Sequence, residues 1–460
     1  MPNIIDLNGI YSALKEWYSD KINDLFFRVS PVLTNLEKLR VQGKTVVIPV
    51  ISGRGGAVSA NYLTAKRLAT TTTQTKAFKV KSGRVFSCYT IHPQEVLATK
   101  TDKGAFMKAT GIKMSSATNG FRQYMAAALY GSGWGELHEL TDALSITAGT
   151  PVDIELPYDV IVKIDVDQEL EIKSKFNDTT VIGTVVVKKI DGNKVSLDSA
   201  DGTTAISAAA GSWLCLEGCI DTEDGKAKPA LPVGLGGWLP DIADRNGADW
   251  EAYIAEPFFE VDRSINPSKL AGNFYKAESG VDHAQALKVA VKLSRRQGGK
   301  ADLIVLNDDD MATLADVLET TNMFFTQTST AERKEGTTGF NRIAAAFSTN
   351  FVQNIWDDPY CPKGKFYVLT RDEISLMSYT DADKPLATGI DGNNAGKQDP
   401  MTFDEQGKGT EPYQLLLDDY LAITGGVDTP RGPCALVSLM FFGAFAIFNP
   451  ANCVVGKFAE

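Results

Sequence analysis

Histidine is nearly absent. His92, His138 and His283 are the only three in 460 residues, and they lie far apart. None sits in a catalytic or metal-binding motif, so imidazole-based acid–base chemistry and His-built metal sites lack their usual carriers. Each is read as a structural or surface residue. The six cysteines, Cys88, Cys215, Cys219, Cys361, Cys434 and Cys453, are scattered. A chain of this length can build a core without covalent staples, so reduced thiols are expected rather than a disulfide framework. A basic excess is missing too: 46 Lys and Arg against 57 Asp and Glu leave a net charge of -11. Tight nucleic-acid binding normally leaves a positive footprint. An acidic surface would instead repel a polyanion and let it slide. The longest apolar run, residues 435–448, is interrupted by Gly443 and falls short of the ~20 residues of a membrane-spanning helix. It reads as one or two buried strands. The opening MPNIIDLNGIY has no basic region leading into an apolar core, so synthesis in the cytoplasm is expected.

The short motifs that carry chemistry are also incomplete. Gly43-Lys44-Thr45 resembles the end of a phosphate-binding loop, but Lys38 stands where the upstream Gly is needed, and the segment runs into a strand. Gly53-Arg54-Gly55-Gly56 opens no helix and is no dinucleotide fingerprint. Cys215 and Cys219 could form half of a zinc site, yet no second pair has suitable spacing. Asp165, Asp167 and Glu169 imitate a calcium loop, with Leu170 in place of the sharp-turn Gly. They read better as the exposed face of a strand. Asp308, Asp309 and Asp310 could bind a metal, but at a helix start they complement the helix dipole. No nucleophile–base pair and no cofactor site is apparent, so a non-enzymatic role is expected.

What is present is an orderly series of segments with 43% hydrophobic and 22% charged residues, the balance of a folded globular chain. Residues 1–40 look helical, with Leu7, Ile10, Tyr11, Leu14 and Tyr18 at helical spacing, a break at Pro31, and a resumption at Leu33, Leu36 and Leu39. Residues 46–51 form a short strand, with Pro49 marking an edge. Residues 52–76 are rich in Gly, Thr, Ser and Ala and cannot bury much surface alone. They form a long excursion between two strands that could reach ~50 Å. Residues 102–130 read as one helix of ~42 Å, with Asp102 as N-cap and Gly131 and Gly133 as the stop. A β-rich block follows at 150–235, with strands at 160–164 and 183–189 and a hairpin at Asp191-Gly192. Residues 260–375 alternate helix and strand, including a helix after Asp282, the buried strand 301–306 and a helix capped by Asn307 or Asp308. A polar loop occupies 380–411, and strand-like sequence returns after 412.

This order of parts, together with four local segments, resembles a known family. KGAFMKATGIKMSSATNGFRQYMAAALYGSG at 103–133, GLGGWLP at 234–240, FFEVDRSINPSKLAG at 258–272 and WDDPYCPKGKFYVL at 356–369 are similar to segments of the major capsid proteins of tailed double-stranded DNA bacteriophages. The resemblance implies an α+β chain of the Hong Kong 97-type fold. Its parts would be an N-terminal arm (1–50), an extended loop (51–82) and a peripheral domain with a spine helix (83–149). An inserted β-rich domain (150–236) and an axial α/β domain (237–411) would follow, then return strands of the peripheral domain with the C-terminal segment (412–460). The inserted domain departs from the minimal fold.

The resemblance implies self-assembly as pentamers and hexamers into an icosahedral head that encloses double-stranded DNA without reading its sequence. It further implies a portal protein, a separate scaffolding protein and room for a decoration or cement protein, with no membrane partner. Contacts between subunits are expected from the arm, through Tyr11 and Trp17, and from the loop, through Arg54, Tyr62, Lys66, Arg67 and Lys76. Two other readings are a nanocompartment shell of the encapsulin type and, from another class, a hydrolase or transferase on an α/β scaffold.

Overall fold

The computed structural model describes residues 30–41, 45–53, 58–68, 74–91, 109–320 (except 148, 224, 243, 244 and 246), 342–348, 351–379, 414–416 and 435–459. The helix expected in the arm before Pro31, the start of the long helix near Asp102, and the polar loop at 380–411 lie outside these residues. Within them the architecture is α+β, organised around three principal sheets.

The first sheet has five strands. Ala435–Ile447 is a single 13-residue strand. It pairs with Gly83–Ile91 over its first nine residues and with Ile374–Tyr379 over its last five. Gln414–Leu416 also pairs with it, and Glu37–Val41 runs parallel to Ile374–Tyr379. Gly443 lies where the pairing partners meet. A Cβ there would stand 2.2 Å from the Phe441 ring and 2.3 Å from the Met377 carbonyl, so the close approach excludes any side chain. The long helix Ala109–Tyr130 packs on this sheet through buried Phe121, Met125 and Leu129, with the Phe121 and Phe441 rings 6.4 Å apart. Helical sequence was expected to resume at Leu33 and run through Leu39. Only Pro31–Asn35 is helical, capped by Ser30, and the chain then extends as Glu37–Val41. Leu39 and Val41 also fit a two-residue alternation, and pairing with a waiting strand edge overrides the three-residue spacing.

The second sheet is mixed, in the order Asn273–Lys276, Val454–Lys457, Lys365–Leu369, Leu303–Leu306, Phe351–Asp357, Arg342–Ser348. Its central strands are apolar on both sides because both sides are covered. Ile304, Leu306, Phe366 and Val368 meet Leu287, Ala290, Val291 and Leu314 from the helices His283–Arg296 and Asp308–Thr320. Leu303, Val305, Tyr367 and Leu369 belong to the main core on the other side. Asn307 is the cap of the second helix, its Oδ1 accepting from the Asp309 N–H at 3.1 Å. The C-terminal return is divided: Ala435–Ile447 joins the first sheet, whereas Val454–Lys457 joins this one.

The third sheet is antiparallel, in the order Glu136–Glu139, Trp213–Leu216, Glu169–Lys173, Val181–Asp191, Lys194–Ser199, Val152–Glu155. The expected turn at Asp191-Gly192 connects its central hairpin. The β-rich block thus draws its first strand from before residue 150. Two local readings are corrected. Residues 160–164 are not a strand: Pro157 sets an extended entry and Tyr158–Ile161 forms a helical turn, burying Val160 and Ile164 four residues apart. Asp165 and Asp167 are not on a strand face. They form a turn in which Asp167 takes φ 65° and donates its N–H to Val187 O at 2.7 Å, a conformation Asp tolerates better than most residues.

Candidate inter-subunit surface

The strands Thr45–Gly53 and Gln74–Lys81 form an antiparallel hairpin with Ile48 opposite Phe78 and Val46 opposite Val80. Period-two alternation gives it two faces. Ile48, Phe78 and Val80 are buried, whereas Val47 and Ile51 on the opposite face are 55% and 64% exposed. Because Thr45–Gly53 pairs only with Gln74–Lys81 among the described residues, Pro49 meets there the edge condition read from the sequence.

An aromatic nest anchors the base of the hairpin. The Phe78 ring meets Trp238 edge-on at 5.3 Å, and Trp238 lies 5.2 Å from Phe258 and 5.4 Å from Phe259. Trp238 Nε1 donates to Phe445 O at 2.9 Å. The Arg263 guanidinium is buried 4.2 Å from the Phe258 ring centre and donates to Gly237 O at 3.2 Å. It thus joins a π face to a backbone carbonyl. The Lys79 N–H donates to Phe259 O at 3.0 Å, and Lys79 Nζ reaches Glu260 at 2.6 Å. GLGGWLP and FFEVDRS, far apart in the chain, therefore meet under the hairpin. Gly234 lies against the end of the long helix, where a Cβ would stand 2.2 Å from Ala128 O.

The WDDPYC segment ties a second knot. Asp358 is fully buried and accepts from Ser30 Oγ at 2.5 Å, Tyr130 Oη at 2.8 Å and the Tyr360 N–H at 3.0 Å. These bonds join the residue before Pro31, the last residue of the long helix and the end of the strand Phe351–Asp357. Burial pushes the Asp358 carboxyl up to about 6, against the opposing effect of its three donors.

Beyond the hairpin, the segment expected to be plain loop contains a helix, Tyr62–Leu68. Asn61 Oδ1 caps it by accepting from the Leu63 N–H at 2.9 Å, a start signal present in the sequence. The helix brings Tyr62, Lys66 and Arg67 together, all exposed. Lys76 is half-buried on the returning strand, opposite Val50. Tyr11, Trp17 and Arg54 lie outside the described residues. Sequence reasoning named Tyr62 and the charged residues of this surface and missed Val58 and Leu63. Val58 is 100%, Tyr62 76% and Leu63 74% exposed among the described residues, a local concentration of apolar surface.

Little here suits catalysis. Tyr124 Oη lies 3.2 Å from Cys219 Sγ beside a cavity of about 300 Å³, but burial pushes that thiol up to about 12, so it is protonated and poorly nucleophilic. His283 stacks on Phe458 at 3.9 Å. Among the described residues no three His, Cys, Asp or Glu side chains form a metal-holding group, and no helix is long and apolar enough to cross a membrane.

No protein-family model matches the chain, and no curated protein matches it by sequence. Solved structures do match. A chain of the cyanophage A-1(L) capsid asymmetric unit is similar over 97% of both chains, with 12% identity and a TM-score of 0.54. The SrpI encapsulin of Synechococcus elongatus covers 99% of this chain and 96% of its own, at 6% identity and a TM-score of 0.47. A Mycobacterium phage Bobi structure covers 100% of both chains, at 10% identity and a TM-score of 0.45. The chain has the Hong Kong 97-type capsid fold.

Proposed function

We propose that this chain is the major capsid protein of a tailed phage, assembling as pentamers and hexamers into an icosahedral head around double-stranded DNA. The observation that carries the reading is the loop: a hairpin anchored in an aromatic nest, ending in an apolar tip that the described residues leave exposed. Such a tip gains burial only against another molecule, and a closed shell supplies an identical neighbour at every position. The match to a phage capsid chain along nearly the whole length supports the same reading. The net charge of -11 suits a wall that holds DNA without gripping it. A scaffolding protein, a portal and a decoration protein would be its partners, with assembly in the host cytoplasm and the virion as destination. The role is structural rather than catalytic.

Negative-stain electron microscopy of the purified chain, alone and with its accompanying scaffold, tests this. Closed shells or free pentamers and hexamers are expected. Compact monomers under both conditions would overturn the proposal. Cargo enzyme in place of DNA inside the shells would move it to a nanocompartment. Deleting residues 54–74 is expected to leave a folded chain that closes no shells, and normal shells from that deletion would refute the role given to the loop.

A further inference from the structure

The helix His283–Arg296 lies on one side of the second sheet and buries Ala284, Leu287, Ala290, Val291 and Ser294. Its outward side is uniform in sign. Residues 283–300 contain Lys288, Lys292, Arg295, Arg296 and Lys300 and no Asp or Glu, in a chain where acids outnumber bases by 57 to 46. At 3.6 residues per turn, the four cations on the helix fall within about 100° of its circumference and span ~12 Å along its axis. Lys292 and Arg296 are exposed, and Lys288 and Arg295 are half-buried along the edge of the stripe. The helix dipole accounts for Arg295 and Arg296 in the last turn. Its effect does not reach Lys292 and Lys288, one and two turns further in.

The surrounding elements do not neutralise this stripe. Among the described residues, none of Lys288, Lys292 and Arg296 forms an ion pair. The carboxylates of the neighbourhood are engaged elsewhere or stand at the opposite end. At the helix start Asp282 is exposed, and Asp310 faces His283 at 3.8 Å. On the neighbouring helix Asp308–Thr320, Asp309 is held by Lys363 at 2.8 Å, and Asp308, Asp316 and Glu319 are its other acids. On the sheet, Lys365 and Lys457 share Asp241 at 2.6 and 3.2 Å, while Lys276 and Arg342 add two cations. Past the helix end, Lys300 pairs with Asp372 at 3.1 Å. There Asp302 accepts from the Arg371 N–H at 2.9 Å, Glu373 accepts from Asn452 Nδ2 at 2.5 Å, and the Arg371 guanidinium lies over the Trp356 ring. An ordinary solvated surface intersperses both signs; this one does not.

We infer that this stripe is a binding surface for the sugar–phosphate backbone of a nucleic acid, with Lys288, Lys292 and Arg296 each meeting one phosphate. Successive cations stand ~6 Å apart along the axis, so three separate phosphates can be met at once. Phosphate contacts carry no sequence information, which suits long, flexible cations with no aromatic side chain among them. A protein partner fits less well. Lysine is depleted from protein interfaces, and beside the stripe only Val289 offers an exposed large apolar side chain among the described residues of this helix. That the nucleic acid is packaged double-stranded DNA rests on the proposed function; the affinity for a phosphate backbone does not. In a wall that is acidic elsewhere, one such stripe per subunit would hold the nearest duplex loosely and at repeated points.

The test uses the full chain, unassembled, and a short fluorescently labelled DNA duplex of arbitrary sequence, read by anisotropy from ~50 to ~200 mM sodium chloride. Three phosphate contacts should make binding about 40-fold weaker at the higher salt than at the lower. Lys288→Gln, Lys292→Gln and Arg296→Gln together should weaken binding at the lower salt at least tenfold and flatten the salt dependence. Each single replacement should lower the salt slope by about one, which keeps the site testable should the triple variant fail to fold. Lys66→Gln with Arg67→Gln removes exposed cations outside the stripe and should leave binding unchanged. Absence of binding by the unaltered chain overturns the proposal, as does full binding by the triple variant or an equal loss in the Lys66 and Arg67 variant. Tighter binding of poly-glutamate than of the duplex at equal charge would assign the stripe to an acidic protein and overturn it too. Shells are scored separately by microscopy. The triple variant should still close them, and shells lost from it alone would make the stripe a contact between copies, against the proposal. Shells missing from the unaltered chain refute the proposed function and leave the duplex result standing.

Discussion

Replacing Asp358 with asparagine isolates the electrostatics of the joint between Ser30, the long helix and the second sheet. In the folded chain burial holds this carboxyl at about 6, against an ordinary value of 3.8. The folded state therefore binds the proton more tightly than the unfolded state. The resulting stabilisation is fully present below 3.8 and is lost as pH rises through 6. One pKa unit corresponds to about 1.4 kcal/mol, so the whole effect is about 3 kcal/mol, of which about 2 kcal/mol develops between pH 7 and pH 4. Asp358→Asn has no such dependence. Its amide oxygen can accept from the Tyr360 N–H, while its Nδ2 can donate to Ser30 Oγ and Tyr130 Oη, whose own O–H groups must then turn to other acceptors. Urea unfolding of both unassembled chains at pH 4, 5, 6 and 7 reads the difference directly, and every other titrating group cancels. Relative to the variant, the parent should gain about 2 kcal/mol on acidification from pH 7 to pH 4. A difference that stays flat across this range would refute the reasoning.

Trp238→Ala should cost about 3–5 kcal/mol, since it empties the aromatic nest and leaves Phe445 O without its donor. Urea midpoints measure the loss, and the hairpin Thr45–Gly53/Gln74–Lys81 should become more open to proteolysis. Gly443→Ala should destabilise by about 1–3 kcal/mol, because the new Cβ meets the Met377 backbone carbonyl, which cannot swing aside. Full stability in that variant would show that the strand crossing is looser than described. Replacing Tyr62 and Leu63 together with serine should change the stability of the isolated chain by less than about 0.5 kcal/mol per site, since both are exposed. Light scattering should show at least a tenfold rise in the concentration needed for shell formation. Unchanged assembly would remove the loop tip from the inter-subunit surface.

Elements whose own residues dictate them were legible in the sequence. The helix His283–Arg296 shows its buried stripe in Leu287, Ala290, Val291 and Ser294, and the strand Leu303–Leu306 is apolar throughout because both its sides are covered. Elements decided by distant partners were not. Leu36 and Leu39 fit a helix as well as a strand, and only the edge of Ile374–Tyr379 settles the matter. The turn at Tyr158–Ile161 depends on Pro157 and on a pocket for Val160 that no local pattern reveals.

The candidate surface divides along the same line. Its polar members could be named because a long segment poor in apolar residues stands out, but charge is a poor guide to what such a surface does. Val47 and Ile51 belong to TVVIPVI, a stretch apolar on both faces. A two-stranded hairpin with one face already buried has no reason to keep its other face apolar unless something covers it. That argument was available from the sequence. It needed only the pairing with Gln74–Lys81, which shows that the chain itself provides no cover on that side among the described residues. The base of the hairpin works in the opposite way. Trp238, Phe258, Phe259 and Arg263 carry the resemblance between sequences, yet they face inward and fix where the loop leaves the body. A shell needs both properties: a loop root held to one geometry by burial, and a tip left for a neighbour to bury.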